Sequence, residues 1–370
     1  MTEKIKSKRG ARVSGQMLFS LCSIAVLLLA FAFSGEVLEA MKRGMKLCVS
    51  TVIPSLFPFT VLCELTARSG AADGVARIFG GVFEKLFGIR RAGALALILG
   101  VSCGFPIGTR CAISLYERGR IDHDELERLL CFCNGPSPAF LIGGIGASLF
   151  GSREFGMMLF VSELISCVAV GVLFRWLGGK RMDGERLVAC ENEKRLGIAE
   201  HITLAVSESA KSMILVCAFI IFFSAFGGIV GKCLLSFGAS RSVSALVLGI
   251  LELTGGALAA SELAPPASCL LVAAIVGWSG LSVHFQFVSI CSEHKIRLGR
   301  YFAARICRAA IDCALVALGL RLFSDRITIH SGAAESFLVS SEIDLFGTVG
   351  IFAFVLGVLN LRGEIKRRKN

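Results

Sequence analysis

Charge is scarce in this chain of 370 residues: Asp, Glu, Lys and Arg make up only 18% of it, where a soluble domain carries about 25% interleaved with its apolar residues. Long stretches hold none at all: Gln16–Gly35, Leu129–Ser152, Ser212–Gly231, Leu263–Ser292 and Leu345–Leu361. That excludes a soluble globular domain. Metal-ligand spacing is missing as well, with no CxxC and no His pair, so no metal is expected. Nor is there a GxSxG, an HExxH or a phosphate-binding loop. Cys103 beside Gly104 has no histidine near it in sequence. No enzyme, no catalytic residue and no cofactor are therefore expected.

What is there is apolar: 54% hydrophobic residues and a mean hydropathy of +0.73. A hydrocarbon core about 30 Å thick is crossed by roughly 20 apolar residues in a helix, and the uncharged stretches approach or exceed that length. The first follows Lys4, Lys6, Lys8, Arg9 and Arg12 in the manner of a signal peptide. Its apolar part is long for one, and Glu36 and Glu39 follow in place of a small-residue cleavage site, so it reads as a retained first span. The net charge of +11 sits beside the spans, where topology determinants and anionic headgroups place it, which argues for a bilayer and against nucleic acid. The 15 cysteines fall mostly in apolar stretches, where Cys acts as a small hydrophobe. Cys131 and Cys133 point to opposite faces of any helix. No disulfide is expected.

Plain spans are expected at 16–34, 46–67, 155–177, 207–231, 301–323 and 345–361. Residues 72–88 carry Val75, Ile78, Phe79, Val82, Phe83 and Leu86 at helical spacing among charges, which predicts a helix lying in the interface plane. Four further segments, 92–117, 126–150, 243–261 and 268–291, are apolar but interrupted in the middle. The interruptions are Cys103–Thr109, Asn134–Pro138, Glu252–Gly256 and Gly277–Ser282. A proline inside a helix costs about 3 kcal/mol, and unpaired backbone at membrane depth survives only when buried in protein or facing a wet cavity. Each half of the chain runs plain span, broken segment, broken segment, plain span. Ser166–Val170 with Arg175–Leu177 also lines up faintly with Asp312–Val316 and Arg321–Phe323. Paired interruptions in two halves point to a transporter's binding site.

Charge also selects a topology. If 92–117 and 243–261 are re-entrant hairpins, then 1–15, 68–91, 118–128, 178–206, 292–300 and 362–370 share the cytoplasmic side, with most of the Lys and Arg and both termini. The outer loops 151–154, 232–242, 262–267 and 324–344 then hold only Arg153, Lys232, Arg241 and Arg326. If all ten segments cross, the basic 178–206 stretch falls outside, against the positive-inside rule. Residues 35–46, with Lys42, Arg43 and Lys46, fit poorly as an outer loop. The expected fold is an all-α polytopic membrane protein, an inverted repeat with re-entrant hairpins and broken helices.

The same segments carry a resemblance. GFPIGTR at 104–110, NGPSP followed by AF at 134–140, LELTGG at 251–256 and GWSGLSVHFQ at 277–286 resemble the YlbJ family of sporulation integral membrane proteins. That family has two Gate, or nucleoside-recognition, domains, units similar to those of concentrative nucleoside transporters. The resemblance spans about 42–323. It implies Gate-type repeats at 42–178 and 207–323, with 1–41 as cytoplasmic tail and first span, 179–206 as cytoplasmic linker, and 324–370 as last span and basic tail. It further implies a part in spore-cortex formation and movement of dipicolinate across the outer forespore membrane. Arg110 stands where a Lys is expected, and Gly135-Pro136 replaces more polar residues.

The residues themselves offer matched chemistry. Half-helix N-termini favour carboxylates, and Arg110 adds a planar fork suited to one. Thr109, Asn134, Ser137, Thr254, Ser279, Ser282 and Gln286 supply neutral hydrogen bonds around Gly104, Pro106, Gly108, Gly255 and Gly280. Glu252 is expected either to bind a coupling cation or proton, or to neutralise Arg110 in the empty state. His284 is a proton carrier or, by preference, a structural hydrogen-bonder. Asp312, one turn beyond Arg308, is expected to pair with it as a structural bridge, and Glu163 has no assigned role. The expected partners are a small anionic substrate, the bilayer and a coupling ion. Nucleoside transport is one alternative. A non-transporting envelope component is the other, although a scaffold has no need of Arg110, Asn134 and Glu252 at membrane depth.

Overall fold

The computed structural model describes residues 2–68, 71–177 and 197–323, so the expected span at 345–361 lies outside the described residues, as does most of the 179–206 linker. Every described element is helical. Helix α1 (Thr2–Ala32) turns at Phe33 into α2 (Ser34–Leu47), which runs through a widened π-helical turn (Cys48–Val52) into α3 (Ile53–Arg68). Residues 35–46 are thus helix and not a loop, and the span expected at 46–67 begins a dozen residues earlier. The widened turn falls where Pro54, which has no N–H, can donate no bond to the carbonyl four residues back. Gly44 and Ala40 on α2 pack against Ser224 and Gly228 of α10 (Ile198–Ser236), and Glu36 meets Lys232 at 2.9 Å. That packing accounts for the poor fit of 35–46 as a loop. Helix α10 also starts well before the expected 207.

The interface segment forms two short helices, α4 (Ala71–Ile78) and α5 (Gly80–Phe87). Val75, Phe83 and Phe87 face the core, while Phe79, Val82 and Leu86 are exposed. The first broken segment is a tight hairpin of α6 (Ala94–Cys103) and α7 (Ile107–Glu117). The second is α8 (His123–Leu130), a non-helical stretch over 131–137, and a π-helical segment Ala139–Leu149. Helix α9 (Arg153–Leu177) closes the first half. After α10 the pattern repeats as a hairpin of α11 (Arg241–Leu251) and α12 (Leu253–Ser261), the broken helix α13 (Ala267–Trp278) and α14 (Gly280–Ile290), and then α15 (Leu298–Leu322). By length and composition, α9, α10 and the α13–α14 pair suffice to cross a bilayer.

Both hairpins use the same device. A Cβ on Gly100 would stand 1.8 Å from the Cys133 carbonyl and 3.0 Å from Gly108 Cα, and one on Gly256 would stand 2.1 Å from Gly249 Cα. Only glycine lets the arms approach so closely, and this closeness is what makes each segment fold back on itself.

The polar ends show where the first hairpin returns. Arg90, before it, meets Asp122 at 3.5 Å and Glu125 at 3.1 Å after it. Asp122 and Glu125 also form a reciprocal cap at the start of α8, which ties the returning chain down. Arg297 bonds Glu127 at 2.6 Å, and Arg300 meets Asp124 at 3.3 Å. Residues near 90, 118–128 and 292–300 therefore share one face, as the hairpin topology requires and the all-crossing one forbids. Two apolar cores lie beneath. The one around the first hairpin takes in Phe287, Tyr301 and Ala304 from the second half. The one around the second hairpin takes in Leu141, Ile145 and Phe155 from the first. The halves interlock.

Candidate functional site

The four interruptions meet two by two. In the first half, α6 ends on Gly104 (φ 85°), where a Cβ would stand 2.9 Å from the Ser137 amide. Pro106 precedes the first turn of α7, and Gly108 leaves room for the Cys133 carbonyl and for Asn134 Oδ1. The Thr109 amide donates to Asn134 Oδ1 at 2.8 Å, and Asn134 Nδ2 donates to Thr109 Oγ1 at 2.7 Å. Asn134 so replaces a bond that the missing helical turn would have given, which is how a break survives at depth. Ser137 Oγ accepts from the Phe140 amide at 3.3 Å and starts the π-helical segment.

The second half repeats the plan with different chemistry. A Cβ on Gly280 (φ 80°) would stand 2.9 Å from the Leu253 amide, so the α13–α14 break rests on the tip of the second hairpin. Trp278 Nε1 donates to the Ile250 carbonyl at 3.2 Å across the same contact. Ser279, at φ 79°, is the one non-glycine residue with positive φ among those described, a conformation costing about 1–2 kcal/mol. No side chain caps α14 at this point. Gln286 Nε2 reaches Ser282 Oγ at 3.5 Å, and both are buried.

Glu252 and Arg110 do not meet. The Glu252 carboxylate accepts from the Thr254 amide at 2.9 Å and the Gly255 amide at 2.6 Å. It is the anion on its own half-helix N-terminus, the position where helix dipole and free N–H groups favour one. Arg110 Nη1 lies 3.7 Å from Glu64 Oε1 on α3, while its buried Nε has no hydrogen-bond partner. The expected neutralisation of Arg110 by Glu252 is corrected to Arg110 with Glu64. His284 Nδ1 pairs with the Tyr301 hydroxyl at 3.0 Å and its ring packs edge-on to Trp278, Tyr301 and Phe302. Hydrogen bonding across helices accounts for that nitrogen, while Nε2 is buried without a partner.

The centre of the molecule holds four buried ionisable side chains that none of the expected site residues includes. Arg305 Nη2 donates to the Asn134 carbonyl at 3.0 Å, and Arg308 Nη1 donates to the same oxygen. Arg308 Nη2 bonds Glu163 Oε1 on α9. The expected bridge from Arg308 to Asp312 is therefore corrected: Glu163 takes the arginine and gains a role. The Arg305 guanidinium lies over Phe105 of the first hairpin tip, 4.9 Å from the ring centroid, and 5.4 Å from that of Tyr301. Asp312 lies beside Glu163 and Ser166. Gly135 and Gly277 make the room, since a Cβ on Gly135 would stand 2.5 Å from Glu163 Oε1 and one on Gly277 2.7 Å from Asp312 Oδ2. The sequence did carry a signal: Arg305, Arg308 and Asp312 recur at helical spacing on one face of an otherwise apolar helix.

With this geometry in hand, comparison with known proteins is informative. No family model matches the chain. The sporulation integral membrane protein YlbJ of Bacillus subtilis is 26% identical over an alignment 312 residues long that covers 76% of this chain and 76% of that protein. The chain is a homologue of YlbJ. The match to YlbJ is long enough to take in material from both halves. Among solved structures, CNTnw in an outward-facing state superposes with a TM-score of 0.49 at 15% identity, over 84% of this chain and 86% of that one. CNTnw in an intermediate state gives 0.47 at 14% identity, with the same coverage. The helices with their broken and re-entrant pairs, together with the YlbJ match, make the chain an all-helical integral membrane protein.

Proposed function

We propose that this protein moves a small carboxylate, of the dipicolinate kind, across a membrane of the sporulating cell by alternating access. One observation carries the reading. Each half contains a hairpin tip seated on a broken helix, at Gly104 with Ser137 and at Leu253 with Gly280. Building two such places costs backbone bonds and, at Ser279, a strained φ, which a scaffold does not need. The first half's α7 also touches α14 of the second, and α12 touches the π-helical segment of the first. On this reading the halves are inverted Gate-type repeats at 42–178 and 207–323, and the basic face is cytoplasmic, with both termini. The sporulation setting follows the name of YlbJ, and the outer forespore membrane is its natural place for such a solute.

For a carboxylate, the attractive groups are Arg110 on α7 and the first turn of α14 at Ser279–Ser282, on elements that touch. Arg110 is held by Glu64 only at 3.7 Å, so a carboxylate that forms two parallel bonds competes well with it. The test is counter-transport in proteoliposomes of the purified full chain, with radiolabelled dipicolinate and nucleosides in separate arms. Exchange of dipicolinate that is lost in Arg110→Gln supports the proposal. Exchange of nucleoside alone, or of neither solute, contradicts it.

A further inference from the structure

The mechanism above leaves the Glu163–Asp312 pair without a task. Asp312 is 1% exposed and Glu163 4%, and Glu163 Oε2 with both oxygens of Asp312 has no hydrogen-bond partner. The reason is plain from their surroundings. Arg308 bonds Glu163 Oε1 and the Asn134 carbonyl, and its buried Nε has no partner. Arg305 bonds that same carbonyl and lies over two aromatic faces, its Nε and Nη1 left without partners. The Ser166 hydroxyl, beside Asp312, donates back to the Glu163 carbonyl at 3.1 Å. Gly277 presents no side chain from α13, Gly135 none from the break, and His284 on α14 is turned to Tyr301. What faces Asp312 is therefore the Glu163 carboxylate, acceptor against acceptor, with the Arg308 charge nearby but making no hydrogen bond to it.

Two carboxylates in contact in a dry site do not both stay ionised, and a single proton between them turns repulsion into a hydrogen bond. A sodium ion would want about five or six oxygens, and with Glu163 Oε1 taken by Arg308 these two carboxylates and one hydroxyl leave only four. We propose that Glu163 and Asp312 share one bound proton at the seam of α9 and α15, taken from bulk water and held between Glu163 Oε2 and an Asp312 oxygen. The place suits coupling. Ser166 and Asp312 occupy equivalent positions in the faint internal repeat, so the proton sits where the two halves face each other. Through Arg308 and the Asn134 carbonyl it is one step from the first pair of breaks. As the ion coupled to solute movement it rests on the transport reading, but its presence does not.

The test is infrared difference spectroscopy of the purified full chain in lipid, with deuterium exchange. A protonated carboxyl stretch is expected at neutral pH in the wild type, and it should be lost in both Asp312→Asn and Glu163→Gln. Either amide brings an N–H where the proton stood, so both variants should fold, and Glu163→Gln suffices if Asp312→Asn does not accumulate. Absence of the band in the wild type, or its persistence in a folded variant, overturns the proposal. So does a wild-type melting midpoint that rises with sodium against choline at fixed pH and no longer does so in Glu163→Gln, which would assign the site to a metal cation. Transport is read separately: a proton gradient should drive dipicolinate uptake in the wild type and lose its effect in Glu163→Gln. Uptake of no solute with the band intact would sink the transport reading alone.

Discussion

Replacing Asn134 by Ala removes one side chain but strands two groups of Thr109. The Thr109 amide, at 2.8 Å from Asn134 Oδ1, has no other acceptor because α7 begins only two residues earlier. A buried donor left unmade costs about 1–3 kcal/mol. The second bond, Asn134 Nδ2 to Thr109 Oγ1 at 2.7 Å, is an interhelical side-chain bond of a kind that averages about 0.6 kcal/mol in membranes. The sum for Asn134→Ala is roughly 1.6–3.6 kcal/mol. Thr109→Val keeps the amide bond and loses only the second one, and Asn134 Nδ2 still has Cys133 Sγ at 3.4 Å, so about 0.6 kcal/mol is expected. Reversible unfolding in mixed micelles, comparing the two variants with wild type, measures the difference. Equal losses would mean that the break is held by packing and not by the Asn134 side chain, and the account of how it survives at depth would be wrong.

Gly100→Ala should abolish accumulation of folded protein, since its Cβ would stand 1.8 Å from the Cys133 carbonyl, whereas Gly143→Ala, with nothing within 4 Å, should accumulate normally; immunoblotting of membranes decides. Arg110→Gln should insert and fold at nearly wild-type yield while losing carboxylate exchange; degradation of the variant would make Arg110 structural. Glu252→Gln loses the anion on the α12 N-terminus, worth about 1 kcal/mol. Because Glu252 and Arg110 are not neighbours, the double variant should be additive within about 0.5 kcal/mol, and a coupling well beyond that would show that they meet in a state other than this one.

The sequence showed the breaks better than the partners. Gly104-Phe105-Pro106 and Asn134–Pro138 advertise interruption by residue type alone, and the lopsided Lys and Arg placed both ends of 92–117 on one face. Residues 35–46 misled because Lys42, Arg43 and Lys46 look like a loop, while the force that makes them helix is Gly44 and Ala40 packing on α10, a contact remote in sequence. The pairing of Glu252 with Arg110 failed for a similar reason. Its two amide partners follow it immediately, but only a known break at residue 252 reveals them. Glu163 was unreadable, since its partner Arg308 lies in another helix of the other half, and a lone acid in an apolar span gives no hint of which cation it meets.

Cysteine accessibility bears most directly on the re-entrant hairpins on which everything else rests. On a Cys-free background, single cysteines at residues 90, 120 and 296 should label from one face of the membrane, and one at residue 264 from the other. Labelling of 90 and 120 from opposite faces would mean that 92–117 crosses the bilayer, and the paired hairpin architecture would be contradicted.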